Sequence, residues 1–273
     1  MHMERRTVLI TGCSQGGIGS ALAEAFHQRG FHVFATARKT EKMKHLRDLA
    51  RMTLIPLDVT QASQISAAVE VIQKHTGGTL DYLVNNAGDG YIIPVLDCDQ
   101  VHGRQIFEVN FWGPLRMIQE FSPLLIAARG TIVNINSVAS ETLPLWLGIY
   151  SSSKAALLAL SETLRLELKP FGVQVLSVMT GAVQTMIFQT NYRLPPDSAY
   201  VAWEKQIAAQ AEGSGQASRM SAPVYAERVV GDILNRRGGI TYRGQMASFA
   251  YWLVALMPRF LRDLVTVKMA GIS

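Results

Sequence analysis

The chain has 273 residues, of which 48% are hydrophobic, and its formal net charge at pH 7 is +5. A chain of this length can bury a large core, and no linker, repeat or low-complexity stretch divides it, so we expect one domain over residues 1–273. The charge is spread out and the short basic runs lack stacking aromatic residues, which argues against a nucleic-acid-binding protein. Cys13 and Cys98 suggest neither a disulfide framework nor a metal site, so we expect a reducing compartment and no metal. Residues 1–3 look like a cloning remnant with no secretory signal after them, and we expect a cytoplasmic location.

The first strand, loop and helix predicted from the sequence are typical of a dinucleotide-binding site. A short apolar run at residues 7–10 leads into the Gly-rich stretch 11–19, and apolar residues at helical spacing follow from Ser20 to Arg29. Glycines between a strand and a helix allow a tight turn and let the backbone approach a pyrophosphate, which rests on the amides of the helix N-terminus. The predicted cofactor contacts of this loop are Gly12, Ser14, Gln15, Gly17, Ile18 and Gly19.

The second predicted strand, residues 31–36, indicates which dinucleotide is bound. NAD-binding units place an acidic residue after this strand, on the ribose 2′-hydroxyl, and here none is present. Arg38 and Lys39 instead offer positive charge that suits a 2′-phosphate. The sequence therefore favours NADP(H), and the alternative is that these are two solvated basic residues that open the next helix.

A tyrosine and a lysine further along the chain are candidates for acid/base chemistry. Tyr150 lies four residues before Lys154 and thirteen after Ser137. On a helix, residues four apart share a face, so the Lys154 ammonium is expected to favour the phenolate of Tyr150 and lower its pKa. Tyr150 is then a candidate acid or base near neutral pH. On its own the pattern fits a solvated helix face equally well, so its context decides.

That context resembles the short-chain dehydrogenase/reductase family over six ordered motifs, from about Thr7 to Thr185. The Gly-rich loop is one residue longer than the commonest spacing, because two glycines, Gly16 and Gly17, stand where one is usual. The resemblance implies further cofactor contacts from Asp58, Val59, Asn86, Ala87, Gly88, Val183 and Thr185, besides Tyr150 and Lys154. It implies a catalytic set of Asn110, Ser137, Tyr150 and Lys154.

The same resemblance implies a role for each catalytic residue. Tyr150 would give its proton to the developing alkoxide and Ser137 would hold that oxygen. Lys154 would bind the nicotinamide ribose and tune Tyr150, and Asn110 would hold a water that links Lys154 to solvent.

One departure from the family pattern lies in residues 178–185. Thr180 stands where the family has a proline. Proline would fix φ and remove an amide donor, so we expect Thr180 to leave the strand end freer and to shift the nicotinamide pocket slightly.

The alternation of strands and helical stretches predicts an α/β chain: a single-domain Rossmann fold, with a doubly wound parallel sheet and helices on both faces. Residues 186–223 would form a substrate-binding lid, because they hold apolar and aromatic side chains: Ile187, Phe188, Tyr192, Tyr200 and Trp203. Ordinary helix packing explains Trp203 about as well. Residues 240–273 would form a C-terminal extension.

Within that extension, residues 246–257 are uncharged and partly aromatic, but they are fewer than the roughly 20 needed to span a bilayer. With basic residues around it, this segment could lie on a lipid surface. We slightly favour a segment that covers the substrate site or a subunit contact, since a large exposed apolar patch would threaten solubility.

Together these features predict an NADPH-dependent reductase that transfers a hydride to a hydrophobic ketone, such as a lipid, steroid-like or natural-product intermediate. Within the family, the chain most resembles 1-acyldihydroxyacetone-phosphate reductases and 17-beta-hydroxysteroid dehydrogenases. The alternatives are a non-redox enzyme of the same fold (isomerase, dehydratase or cyclase) and an NADP-sensing binding protein. We expect a homodimer or homotetramer through helices near 100–128 and 150–169, because the second holds more leucines than one core-facing stripe needs.

Overall fold

The computed structural model describes residues 6–185, 187, 193–212, 219–235 and 238–272. Within these residues the strands are β1 (Thr7–Ile10), β2 (His32–Ala37), β3 (Met52–Pro56), β4 (Tyr82–Asn85), β5 (Thr131–Ser137), β6 (Gln174–Thr180) and β7 (Gly239–Arg243). They form one sheet in the order β3-β2-β1-β4-β5-β6-β7, and every neighbouring pair is parallel. The predicted doubly wound parallel sheet is therefore confirmed.

Helices connect the strands and cover both faces of the sheet. They are α1 (Ile18–Gln28), α2 (Ala62–Thr76), α3 (Gln100–Phe107), α4 (Gly113–Ala128), α5 (Ala139–Thr142), α6 (Gly148–Glu167), α7 (Glu204–Glu212), α8 (Ala222–Leu234), α9 (Ala247–Leu256) and α10 (Arg259–Met269). Short 3-10 turns lie at Thr40–Leu46, Val95–Asp97, Lys169–Phe171 and Val201–Trp203. A π-helical turn, Glu108–Trp112, separates α3 from α4.

Each face of the sheet has its own hydrophobic core. Successive side chains of a strand point to opposite faces. Val8 therefore packs with Phe26 of α1 and Val229 of α8, whereas Leu9 packs on the other face with Phe121 of α4. Strands buried on both faces read as continuous apolar runs, which is why residues 7–10 predict a strand without alternation.

The strand order reverses between β1 and β4, and this opens a crevice at their carboxyl ends. The Thr11 hydroxyl oxygen, just after β1, accepts hydrogen bonds from the amides of Asn86 and Ala87, just after β4, each at 2.9 Å. Farther along the same edge, Ser137 of β5 pairs in register with Thr180 of β6. The loops with the predicted site residues thus lie side by side.

The predicted lid is partly described. Phe188 and Tyr192 lie outside the described residues. Tyr200 and Trp203 pack partly buried against a third apolar cluster, which includes Trp146 and Ile207 of α7. Among the described residues of this segment, Ser198 donates to Asp97 (2.6 Å) and Gln210 donates to the carbonyl of Leu145 (3.1 Å), which ties the segment to the body.

The predicted extension at 240–273 begins inside β7, the edge strand of the sheet, so the part outside the sheet starts after Arg243. Helix α9 buries Ala247, Ala250 and Leu253 and leaves its large aromatic side chains exposed, and α10 buries none of its residues. Among the described residues, no helix is long and apolar enough to cross a membrane.

Candidate active site

Tyr150 and Ser137 meet at the carboxyl edge of the sheet. Ser137 ends β5, and Tyr150 lies in the first turn of α6, where it is only 6% exposed. Their side chains are hydrogen-bonded to each other. The Ser137 oxygen also accepts the amide of Ala139 at 3.2 Å, which holds the hydroxyl in place. The sequence placed these two residues thirteen positions apart, and the fold brings their hydroxyl groups together.

Burial sets the protonation of the phenol. It raises the pKa of Tyr150, and the hydrogen bond with Ser137 offsets only part of that rise. The prediction that Lys154 lowers the pKa of Tyr150 is wrong for this structure, because desolvation outweighs other effects. Tyr150 is therefore protonated at neutral pH and can donate a proton.

Lys154 is buried one helical turn after Tyr150. Its ammonium donates to the carbonyl of Ile135 in β5 at 3.0 Å. Burial lowers the pKa of Lys154 from 10.5 to about 8. The cation is therefore held near the phenol by a backbone carbonyl of the strand that ends in Ser137.

Asn110 ties the loop after β4 to α6. It lies fully buried in the π-helical turn, a feature frequent at functional sites. Its carbonyl oxygen accepts the amide of Asp89 (2.8 Å), and its amide nitrogen donates to the carbonyl of Asp89 (2.9 Å) and the hydroxyl of Ser153 (3.0 Å). A Cβ added to Gly88 would lie 3.3 Å from Asn110 and 3.6 Å from the Lys154 ammonium. Asn110 and Lys154 thus converge on Gly88, and the water-holding role stays a prediction.

The Gly-rich loop leaves no room for side chains at two of its positions. A Cβ at Gly12, whose φ is +75°, would lie 2.9 Å from the Cα of Ala87, and one at Gly19 would collide with the carbonyl of Gly12. Asn86 donates from its side chain to the carbonyl of Thr11 at 2.8 Å, so it braces the loop as well as bordering the site. The loop ends at Gly17, the N-cap of α1, whose free amides can hold an anion. These features fit a bound pyrophosphate.

The other predicted cofactor residues lie along the same edge. Ser14 is half-buried and Gln15 is exposed in the loop, and Ile18 begins α1. Arg38 and Lys39 are exposed immediately after β2. Asp58 and Val59 follow β3, with the Asp58 carboxylate accepting from the amide and hydroxyl of Thr60 at 3.0 and 2.8 Å. Within the described part of the chain no acidic side chain forms an ion pair with Arg38, which leaves its charge available for a phosphate.

At the other end of the crevice, residues 181–185 are held from two sides. Val183 is buried and forms a parallel bridge with Met220, and Ala182 forms an antiparallel bridge with Gln245. Thr185 follows, half-buried. This segment is therefore a fixed strip of backbone beside Ser137, where a nicotinamide would lie.

Two residues that the sequence reasoning missed hold the site together. The Thr11 hydroxyl oxygen accepts hydrogen bonds from two backbone amides of the loop after β4. The Ser153 hydroxyl accepts a hydrogen bond from Asn110 and donates one to the carbonyl of Tyr150 at 2.7 Å. A small hydroxyl residue beside a Gly-rich loop or a catalytic lysine is a signal for such bonds, because these side chains readily pair with nearby backbone.

The burial of Lys154 predicts a pH-dependent stability. Between pH 8 and 10.5 the unfolded chain holds the Lys154 proton and the folded chain has lost it, so stability rises with pH in that window. Lys154→Met lacks this rise. We expect the Tm of Lys154→Met, relative to wild type, to be highest below pH 8 and to fall towards pH 10.5, as measured by calorimetry. Lys169→Met, which removes an exposed ammonium, is the control, and a constant difference for Lys154→Met would contradict the prediction.

Comparison with known proteins agrees with this geometry. The family model for short chain dehydrogenases matches residues 6–194. The chain is 97% identical over 271 residues to the short-chain dehydrogenase ptmH of Penicillium ochrochloron, covering 99% of this chain and 100% of that protein. It is 48% identical over 206 residues to the NADPH-dependent 1-acyldihydroxyacetone phosphate reductase of Schizosaccharomyces pombe, covering 73% of this chain and 69% of that one.

A solved structure shares the whole fold. The short chain dehydrogenase of Burkholderia cenocepacia in complex with NADP has a TM-score of 0.74 and 28% identity, and the match covers 98% of this chain and 99% of that chain. The chain therefore belongs to the short-chain dehydrogenase/reductase family of nicotinamide-dependent oxidoreductases.

Proposed function

We propose that the protein is an NADPH-dependent reductase of a hydrophobic ketone. The observation that carries this proposal is the buried Tyr150 phenol, which is hydrogen-bonded to Ser137 and protonated at neutral pH, at the carboxyl edge of the sheet beside the Gly-rich loop. A protonated phenol is the form that can donate to an alkoxide, so the site is suited to carbonyl reduction.

The roles of the chain's own groups follow from their positions. Ser137 and Tyr150 present two hydroxyl groups to one point, where a carbonyl oxygen can accept from both. As negative charge develops on that oxygen, Tyr150 transfers its proton, and Lys154, one helical turn after Tyr150, would bind the nicotinamide ribose. When bound, the reduced nicotinamide supplies the hydride. Asn110 bonds to Asp89 and to Ser153, and Ser153 bonds to the carbonyl of Tyr150, so the start of α6 is fixed against the loop after β4.

The preference for NADP(H) rests on Arg38. It is exposed, follows β2 at the adenosine end of the crevice, and has no acidic neighbour in sequence that would bind a ribose 2′-hydroxyl. Gly12, Gly19 and the amides at Gly17 would hold the pyrophosphate, and residues 181–185 would face the nicotinamide.

The substrate class rests on the apolar cluster beside the phenol. Tyr150 shares this cluster with Trp146, Ile92 and Ile207. Helix α7 thus contributes apolar side chains to the cluster that contains Tyr150, which suits a lipid, steroid-like or natural-product ketone rather than a small polar one. The name of the S. pombe relative describes an acylated ketone as its substrate.

We also propose a homo-oligomer through the face of α3, α4 and α6. Leu157 faces the core of the same chain, whereas Leu166 is 55% and Trp112 44% exposed. A groove on this face is lined by the apolar Phe107, Trp112 and Ile149 together with polar residues that include Gln100, Arg104 and Glu108. Apolar residues exposed together on one face favour a subunit contact.

The C-terminal helices form a second exposed apolar face. Its members are Phe249, Trp252, Leu256, Phe260 and Leu264. We propose that this face meets the substrate or a second subunit; a lipid surface is the alternative.

Replacement of Arg38 tests the cofactor. We expect NADPH to bind at least about tenfold more tightly than NADH, and Arg38→Asp to shrink or reverse that difference, because it removes the partner of the 2′-phosphate and adds a carboxylate. Calorimetric titration measures both affinities. Arg129→Asp is the matched control, because it makes the same charge change just before β5, at the amino ends of the strands. It should keep the wild-type ratio of NADPH affinity to NADH affinity. Equal affinities in the wild type would rule out the NADP preference.

Removal of the phenolic hydroxyl tests the chemistry. Tyr150→Phe should leave NADPH binding nearly intact and lower turnover of a hydrophobic ketone by about a hundredfold or more, the usual scale for a lost acid. Substrates for the assay are acyl-dihydroxyacetone phosphates, steroids, and polyketide or terpenoid ketones. Tyr82→Phe, a buried change at the start of β4, should retain turnover. Full activity of Tyr150→Phe would point to another donor or to a non-redox enzyme.

Two matched tryptophan variants test the surfaces. We expect light scattering at micromolar concentration to give an oligomer for the wild type and a monomer for Trp112→Glu, because a buried carboxylate would oppose the contact. Trp252→Glu, the same change on α9, should keep the oligomer. A monomeric wild type would contradict the proposal, and co-sedimentation with neutral or anionic liposomes that Trp252→Glu abolishes would assign the C-terminal face to lipid.

A further inference from the structure

Thr180, the residue that replaces the family's proline, ends β6 beside the catalytic serine. It pairs in register with Ser137 on one side and Arg243 on the other. Its carbonyl accepts the amide of Val138 at 3.1 Å, so the backbone after Ser137 is bonded to the backbone at Thr180. A movement of this strand end would therefore shift Val138 and, with it, the neighbouring Ser137.

The Thr180 hydroxyl has a buried partner on another element. Its oxygen lies 2.6 Å from the phenolic oxygen of Tyr225 in α8, and Tyr225 is 0% exposed. Burial raises the pKa of Tyr225, which keeps the phenol neutral and able to donate. The Thr180 hydroxyl can itself donate a hydrogen bond to the carbonyl of Val178 at 3.3 Å. The two hydroxyl groups thus form a short bridge between β6 and α8.

This bridge joins the two segments that hold residues 181–185. Tyr225 is in the first turn of α8, and the chain just before α8 contains Met220. Met220 pairs with Val183 and also accepts the amide of Gln184 at 2.9 Å. One end of the 181–185 strip is therefore attached to Thr180 and its middle is attached to the segment that leads into Tyr225.

We propose that the Thr180–Tyr225 hydroxyl bridge takes the place of the proline constraint and positions residues 181–185 for the nicotinamide end of the dinucleotide. A proline would restrict the strand end through its ring, whereas threonine leaves φ free and needs another restraint. The bridge supplies that restraint through a side chain. Both residues act as positioning residues, and the inference rests on the proposed dinucleotide function.

The order of the strands allows an experiment to distinguish the positioning of residues 181–185 from a general effect on the fold. Arg38 and Asp58 follow β2 and β3, on the far side of β1, whereas Thr180 is in β6 beyond β4 and β5. A disturbance confined to residues 181–185 should therefore weaken contacts to the nicotinamide half and leave the adenosine half unchanged.

Two ligands distinguish these halves. NADPH occupies the whole crevice, and adenosine 2′,5′-bisphosphate contains only the adenosine half with its 2′-phosphate. We expect Thr180→Val, which keeps the shape and removes the hydroxyl, to weaken NADPH binding by about threefold to tenfold, the scale of one lost hydrogen bond. Its affinity for adenosine 2′,5′-bisphosphate should equal that of wild type in the same calorimetric titration. Thr180→Ser, which restores a hydroxyl, should recover most of the NADPH affinity.

Tyr225→Phe provides the second half of the test. It should show the same selective loss, and the double variant Thr180→Val/Tyr225→Phe should lose no more than either single variant, because both remove one interaction. Unchanged NADPH affinity in Thr180→Val, or an equal loss for both ligands, would overturn the proposal. A wild-type protein that binds NADH in preference to NADPH would contradict the proposed cofactor alone, and the bridge would then be tested with NADH and ADP as the ligand pair.

Discussion

The crevice depends on the hydrogen bonds that the Thr11 hydroxyl accepts from the backbone after β4. Parallel strands end at a common edge, and hydrogen bonds between the loops beyond them fix how those loops lie against each other. Two amides at 2.9 Å, with Asn86 bonded back to the Thr11 carbonyl, bring the Gly-rich loop and the loop after β4 into contact. The glycines follow from this contact, since a Cβ at Gly12 or Gly19 would push the loops apart.

Burial shifts the pKa values of Tyr150 and Lys154, the proposed catalytic pair, in opposite directions. A low-dielectric environment disfavours charge on both residues, so the pKa of Tyr150 rises and that of Lys154 falls. For a proton donor the first shift is useful, because the phenol stays protonated until negative charge develops beside it. The hydrogen bond with Ser137 and the carbonyl of Ile135 then limit where the two groups can move.

Substitutions at motif positions need not weaken a site when a different interaction supplies the same restraint. The freer strand end expected of Thr180 is bonded through its hydroxyl to Tyr225, and the segment that follows is bridged on both sides. Residues 193–212 are attached in a similar way, through side-chain hydrogen bonds from Ser198 to Asp97 and from Gln210 to the carbonyl of Leu145. In both cases the restraint is a contact between segments that lie far apart in the chain.

The sequence by itself determined the alternation of strands and helices and the Gly-rich loop, because these follow from apolar periodicity and backbone sterics. Ser137, Tyr150 and Lys154 came from the resemblance to the family, and the edge strand β7 was not predicted as a strand. Only the tertiary structure decided the direction of the Tyr150 pKa shift, since spacing along a helix predicts the neighbouring charge but not the burial that outweighs it. The pairing of Thr180 with Tyr225, 45 residues away, and the apolar cluster of Trp146 and Ile207 also depend on how separate elements pack. Such contacts arise from long-range packing, and no local pattern in the chain encodes them.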